Sequence, residues 1–314
     1  MSLLSEKIIS SLENLGCRAK IVSISHINEM RDEILALRHS NMLDKKFYED
    51  TLLTSSIDYD SEKALKNAKS IIIIAAPQSI TKANFQYKDN TYSLTIPPIY
   101  VDGDIRSKVK QVMEEISSNN GFNVSAAKLP QKQLAVKSGL AKYGRNNISY
   151  IDEMGSFHLL MSYYTDVDLL VDSWQGAEID SGCENCLVCL KNCPTGAISA
   201  KRFLIHGERC ITNFNEYEND FPQWLKAQWH NSLIGCMCCQ IKCPKNAAFV
   251  NKCNDIVAFT EEETKMLLDK VSLESLSEET LKKLQDISMI SSYNFLSRNI
   301  KVLLRDEFIV NVAE

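Results

Sequence analysis

Eleven cysteines occur in this chain of 314 residues, and all except Cys17 fall between positions 183 and 253. Their spacing is ordered. Cys183-Glu-Asn-Cys186-Leu-Val-Cys189-Leu-Lys-Asn-Cys193-Pro194 follows C-x2-C-x2-C-x3-C-P, and Cys236-Met-Cys238-Cys239-Gln-Ile-Lys-Cys243-Pro244 repeats part of that pattern. A secreted disulfide scaffold is usually shorter and opens with a leader. The start, MSLLSEKIISSLENLG, has no basic segment running into a long apolar stretch. The longest aliphatic run, Ile71 to Ala76, falls far short of the ~20 residues that span a bilayer. Neither disulfides nor membrane spans are expected. Clustered thiols in a reducing cytoplasm point to metal.

The register is that of two 4Fe–4S cubes. Three closely spaced thiolates wrap one cube, and the fourth, redirected by the proline, reaches the other. Zinc sites and redox dithiols also use C-x2-C, but they do not require four cysteines in this register followed by proline. Two cubes need eight thiolates and the two motifs supply seven, so the eighth comes from Cys210, Cys238 or Cys253. Side chains of sequence neighbours tend to diverge, which disfavours Cys238 beside Cys239; Cys210, in Gly-Glu-Arg-Cys-Ile, is chosen. The first cube then takes Cys183, Cys186, Cys189 and Cys243, and the second Cys193, Cys210, Cys236 and Cys239. Cys238 and Cys253 are read as packed or supporting thiols and Cys17 as a buried one. With every iron ligated by protein, the cubes form an electron relay. The chemistry lies elsewhere.

At roughly 150 residues per domain the length allows about two domains. The composition, 45% hydrophobic and 24% charged, is that of a globular chain. A net charge of −5 argues against a generally basic nucleic-acid binder. Helices are expected at Ser5–Leu15, Asn28–His39, Lys45–Leu53 and Asp104–Ser117 from their apolar periodicity. Strands are expected at Arg18–Ser23 and Ile71–Ala76. The polar stretch leading to Pro97 and Pro98 reads as a long loop, and Asn147–Thr165 as a hairpin turning at residues 152–155. Thr260 and Ser277 read as helix caps, with a further helix at Tyr293–Leu304. The expected fold is α/β (α+β) over residues 1–175, followed by a ferredoxin-like double-cluster domain at 176–256 and a short helical C-terminal tail at 257–314.

The residues resemble the epoxyqueuosine reductase family, which is related to the reductive dehalogenases. Cys-Pro-Thr-Gly-Ala-Ile (193–198), Arg209-Cys210-Ile211, the Gly235 to Asn246 block and the segment LAVKSGLAKYGRN (134–146) carry the resemblance. It implies a cytoplasmic reductase that passes electrons from an external low-potential donor through the cubes to cobalamin. The family's substrate is epoxyqueuosine in tRNA, and the reaction removes its epoxide oxygen. By the same resemblance Lys137, Gly139, Gly144, Arg145 and Asn146 are candidate cobalamin-binding residues. The five histidines show no ligand spacing. Lys128, Lys132, Lys137, Lys142 and Arg145 form either a solvated face or an anion-contacting one.

The chain departs from the family where proton transfer is expected. Ser125 stands at the place of the family's aspartate, and a serine cannot serve as that general acid unaided. Tyr100, Asp102 and Asp104 are the substitute candidates. The family's C-terminal tRNA-gripping repeats do not fit into the residues after 256. Three functions follow: an epoxyqueuosine reductase-like enzyme with this or another substrate, a two-cluster electron carrier without cobalamin, or an iron–sulfur RNA-binding module. A monomer is expected, with tRNA as the candidate macromolecular partner.

Overall fold

The computed structural model describes residues 2–52 and 56–305. In chain order the principal elements are α1 (Leu3–Glu13), β1 (Arg18–Ser23), α2 (Ile27–His39), β2 (Ser70–Pro77), β3 (Ile80–Tyr87), β4 (Asn90–Ile96), α3 (Ile105–Asn120), β5 (Val124–Ala126), α4 (Gln131–Lys137), β6 (Lys142–Tyr143), β7 (Ser149–Tyr150) and β8 (His158–Thr165). They continue with α5 (Val188–Asn192), α6 (Ile211–Asn215), α7 (Cys238–Ile241), β9 (Cys253–Phe259), α8 (Glu261–Leu268), α9 (Glu278–Asp286) and α10 (Tyr293–Leu304). The chain divides into two compact units that interleave along the sequence. The first comprises residues 1–77, 104–187 and 198–208, and the second 78–103, 188–197 and 209–314.

The first unit is built on a sheet of order β1-β2-β8-β5, with every neighbouring pair antiparallel. Successive side chains of a strand point to opposite faces. In β2, Ile72 and Ile74 therefore join Ile8 and Leu12 of α1 and Val109 and Met113 of α3, while Ile71 and Ile73 join Met30 of α2 and Leu134 of α4. All four isoleucines are fully buried, as expected for a strand covered on both faces. The expected hairpin at 147–165 contracts to one bridge, Ile151–Gly155: β7 pairs with β6, and β8 pairs with β2 and β5. The expected helix at 45–53 appears as a turn, Lys45–Phe47, followed by a π-helical segment, Tyr48–Leu52; Leu53 lies outside the described residues.

The second unit corrects the expected loop before Pro97. Residues 80–96 form the β3–β4 hairpin, turning at Lys88 and Asp89 with both residues at positive φ (48° and 61°). A right-twisted hairpin favours such a turn. β9 joins β3 in parallel, starting from Ile80 opposite Cys253. This pairing draws the hairpin to the C-terminal part of the chain, so the compact units differ from consecutive domains bounded at 175 and 256. The residues after 256 are likewise more than a tail. Phe259 stacks on Phe85 at 4.7 Å, and both belong to one core with Leu267, Leu284, Leu296 and Ile300.

The caps hold these helices in place. Thr260 Oγ1 accepts from the Glu263 backbone N–H, and Glu263 accepts from that of Thr260. The same carboxylate receives Lys283 Nζ at 2.8 Å, tying α8 to α9. These bonds lower the Glu263 pKa against the opposing effect of burial. Phe85→Ala is expected to destabilise this unit by about 3–5 kcal/mol, from lost transfer energy and the cavity left against Phe259. Chemical denaturation of the variant checks this.

Candidate metal centre and cofactor segment

Four thiols expected at the second cube lie in the second unit. Cys193 follows α5, with its Sγ 3.6 Å from Thr195 Oγ1. Cys210 immediately precedes α6, while Cys236 and Cys239 flank and enter α7, which packs against α5. Burial pushes the Cys210 thiol up to about 11, and the charges of Cys236 and Cys193 act in the same direction. Contact with Cys238 and burial likewise push Cys236 up. Adjacent buried thiols resist simultaneous ionisation, and bound iron reverses that by stabilising thiolates. The donor set therefore fits an iron–sulfur cube. Among the described residues, no three Cys, His, Asp or Glu side chains converge tightly enough to hold a single metal ion. A cube is ligated at four separate irons, so its thiols stand further apart than the ligands of one ion.

The spare thiols separate. Cys17 is fully buried, and burial pushes it up to about 11. Cys253 is exposed at the start of β9. Cys238 turns back toward Cys236, although it is next to Cys239 in sequence. At Gly235, where φ is +64°, a Cβ would come within 2.7 Å of the Tyr100 hydroxyl. Only glycine lets that ring lie so close to the backbone beside Cys236.

The candidate proton donors occupy different settings. The Tyr100 hydroxyl donates to Glu216, and burial raises it well above the ordinary tyrosine value. Burial also raises the Glu216 pKa. Asp102 lies between the turn Pro98–Tyr100 and α3. Asp104 is ion-paired with Lys108 at 2.7 Å, and that bond lowers its pKa, so it is ionised at neutral pH. Ser125 sits in edge strand β5 opposite Tyr164 of β8. Asp58 and Asp60 bear electrostatically on Tyr164, which burial pushes up to about 12.

The glycine-punctuated segment is held by its own fold. Lys137 is buried and donates to Glu29 at 2.7 Å and to Glu33. Arg145 donates to the carbonyls of Cys183, Glu184 and Cys186, and so braces the loop that carries two expected cluster ligands. Asn146 donates to the Tyr150 hydroxyl at 2.9 Å. A Cβ at Gly144 would lie 2.5 Å from the Tyr150 ring, and one at Gly139, where φ is +72°, 3.1 Å from the Gln175 amide. Lys132 binds the Asn147 carbonyl at 2.6 Å, and Lys142 pairs with Glu178 at 2.8 Å. Four of the five cations in this segment thus have internal partners, while Lys128 lines a cavity.

That cavity, of about 460 Å³, lies in the first unit. It opens where β5 ends and β8 continues, and is lined by Arg106, Lys110, Lys128, Gln131, Ser162 and Tyr163 among others. Gln131 donates to Ala127 O and Ser162 Oγ, while its buried Oε1 has no partner. Arg106 and Lys110 belong to no motif in the sequence. Their i,i+4 spacing opposite the buried Val109 and Met113 was the available signal. Of the histidines, His158 and His230 are buried, and His26 stacks on Trp174 at 4.4 Å.

Residues 182–246 match the 4Fe-4S double cluster binding domain. The chain is 28% identical over 255 residues to the epoxyqueuosine reductase of Cellulophaga algicola, covering 78% of this chain and 80% of that protein. It is 30% identical over 208 residues to the Salmonella typhimurium enzyme, covering 64% of this chain but 52% of that protein. The structure of epoxyqueuosine reductase from Bacillus subtilis superposes with a TM-score of 0.67 at 18% identity, covering 96% of this chain and 81% of that one. An epoxyqueuosine reductase bound to an epoxyqueuosine-modified tRNA stem loop superposes with a TM-score of 0.66 at 18% identity, covering 96% and 80%. The chain resembles epoxyqueuosine reductases in sequence, has their fold and contains the double-cluster domain. Among its described residues no helix is long and apolar enough to cross a membrane.

Proposed function

We propose that this chain is an iron–sulfur reductase that removes the epoxide oxygen of epoxyqueuosine in tRNA, with cobalamin as its reaction centre. The observation that carries the reading is the double-cluster motif on an epoxyqueuosine reductase-like chain. The first cube is assigned to Cys183, Cys186, Cys189 and Cys243 on spacing. The second is assigned to Cys193, Cys210, Cys236 and Cys239, and the mutual influence of Cys193, Cys210 and Cys236 supports it. An external low-potential donor supplies the electrons, and the protein acts as a cytoplasmic monomer.

The fit to cobalamin rests on the cavity beside β5. It has the size of a nucleotide-like portion of that cofactor rather than of the whole corrinoid. Arg106, Lys110 and Lys128 suit its phosphate, and Gln131 Oε1 suits a hydroxyl or amide donor. Lys137, Arg145 and Asn146 then serve by shaping the segment that follows Gln131, whose glycines admit the Gln175 amide and the Tyr150 ring. Bound cobalamin supplies a low-valent cobalt centre for reductive chemistry. A second reading keeps the cofactors but changes the substrate, because Ser125 provides no carboxylic acid for the epoxide oxygen.

Expression in a strain lacking epoxyqueuosine reductase tests the proposal. Mass spectrometry of its tRNA nucleosides is expected to show queuosine in place of epoxyqueuosine. Unchanged epoxyqueuosine, with iron and cobalt both present in the purified protein, would assign the chain to a different substrate.

A further inference from the structure

We propose that Asn231 sets the reduction potential of the second cube by donating its side-chain amide to the ligand sulfur of Cys236. This rests on the assignment of Cys236 as a cluster ligand. Asn231 Nδ2 lies 3.2 Å from Cys236 Sγ and 3.0 Å from Cys238 Sγ. The orientation of the amide is fixed by its other end, where Asn231 Oδ1 accepts the Met237 backbone N–H at 2.7 Å. With the oxygen so engaged, the NH2 group faces the sulfurs, and it also reaches the Trp229 carbonyl at 3.0 Å.

The surrounding segment gives this donor little freedom. Asn215 Nδ2 donates to Gly235 O at 2.8 Å, and Asn299 Nδ2 donates to Leu233 O and Asn215 O, both at 2.9 Å. Buried His230 meets Asn215 Oδ1 at 3.0 Å, and Met237 is fully buried. A rigid amide beside a ligand sulfur acts on the cluster electrostatically. Reduction adds negative charge to the cube and its thiolates, and an N–H aimed at sulfur stabilises that charge. Asn231 therefore raises the potential. It also holds Cys238 against Cys236, which accounts for a thiol that the eight-ligand assignment leaves over.

The test is a redox titration followed by electron paramagnetic resonance on the reconstituted full chain. Asn231→Leu removes the donor at similar volume. At a fixed potential near the midpoint, its second cube is expected to show an oxidised-to-reduced ratio about tenfold higher, equivalent to about 59 mV for one electron. Cys238→Ala, which leaves the bond to Cys236 in place, is expected to shift much less. An unshifted Asn231→Leu midpoint, or an equal shift in Cys238→Ala, would overturn the proposal. Wild-type protein with 15N-labelled asparagine supplies a measurement independent of variant folding: a pulsed-resonance nitrogen coupling to the reduced second cube is expected, and its absence would overturn the proposal. If wild-type iron and sulfide analysis found no second cube, the cluster assignment would fail before any variant was made, and this inference with it.

Discussion

Cys210→Ala protein is expected to leave anaerobic reconstitution with one cube instead of two, holding about half the wild-type iron and sulfide. Cys210 is the ligand chosen without support from either motif, so it tests the assignment most sharply. Its thiol is partly buried and feels the charges of Cys236 and Cys193, which act with burial to push it up to about 11. Loss of the second cube interrupts the relay, so reductase turnover is expected to fall to background. Cys238→Ala and Cys253→Ala are expected to retain both cubes. Full iron loading in Cys210→Ala, or loss of a cube in Cys253→Ala, would require a different eighth ligand.

The second large effect is acid destabilisation through His158. The side chain begins β8, is 3% exposed and meets Ser149 Oγ at 3.0 Å. Burial pushes its pKa down to about 4. The unfolded chain takes up the proton near the ordinary value of about 6.5, while the folded chain resists until about 4. Between those values the unfolded state binds more protons, so stability falls as pH falls. The loss attributable to this group reaches about 3 kcal/mol by pH 4. Buried His230, also pushed down to about 4, acts with the same sign. Urea melts at pH 7 and pH 4.5 are expected to differ less for His158→Gln than for wild type. Equal pH dependence would show that the imidazole is not the group responsible.

Much of the local structure was legible because its causes are local. Thr260 and Glu263 satisfy each other's backbone donors within one turn, and Ser277 caps the helix after it. Strand Arg18–Ser23 and helix Tyr293–Leu304 appear with the expected bounds. The β3–β4 hairpin carries little local signal, for an equally physical reason. Its turn uses Lys88 and Asp89 at positive φ, without the glycine that usually marks such a turn, and its outward residues are polar. Alternation of Ala83 with Phe85, and of Leu94 with Ile96, was the remaining signal.

The candidate site divides along the same line. Lys137 looked like a cofactor contact within its basic segment, yet its partners Glu29 and Glu33 lie more than a hundred residues away in sequence. Arg145 likewise looked available for an anion, and it is spent on three carbonyls of the Cys183–Cys186 loop. Nothing in the spacing around Asn231 distinguishes it from a loop residue. Only the folded segment turns its amide toward sulfur.

What the sequence by itself determined is the cluster chemistry, because most of a cube's ligands come from C-x2-C runs closed by Cys-Pro, and that spacing is written directly in the cysteines. The tertiary structure alone decided which charges are neutralised, where strand β5 stops along β8 and the cavity begins, and what surrounds Cys236 Sγ. Those outcomes depend on groups brought together from distant segments by burial of the isoleucines of β2 and of the Phe85–Phe259 core. The ordered cysteines point to the double-cluster domain that residues 182–246 match; the folded chain adds the placement of the Asn231 amide 3.2 Å from Cys236 Sγ and 3.0 Å from Cys238 Sγ.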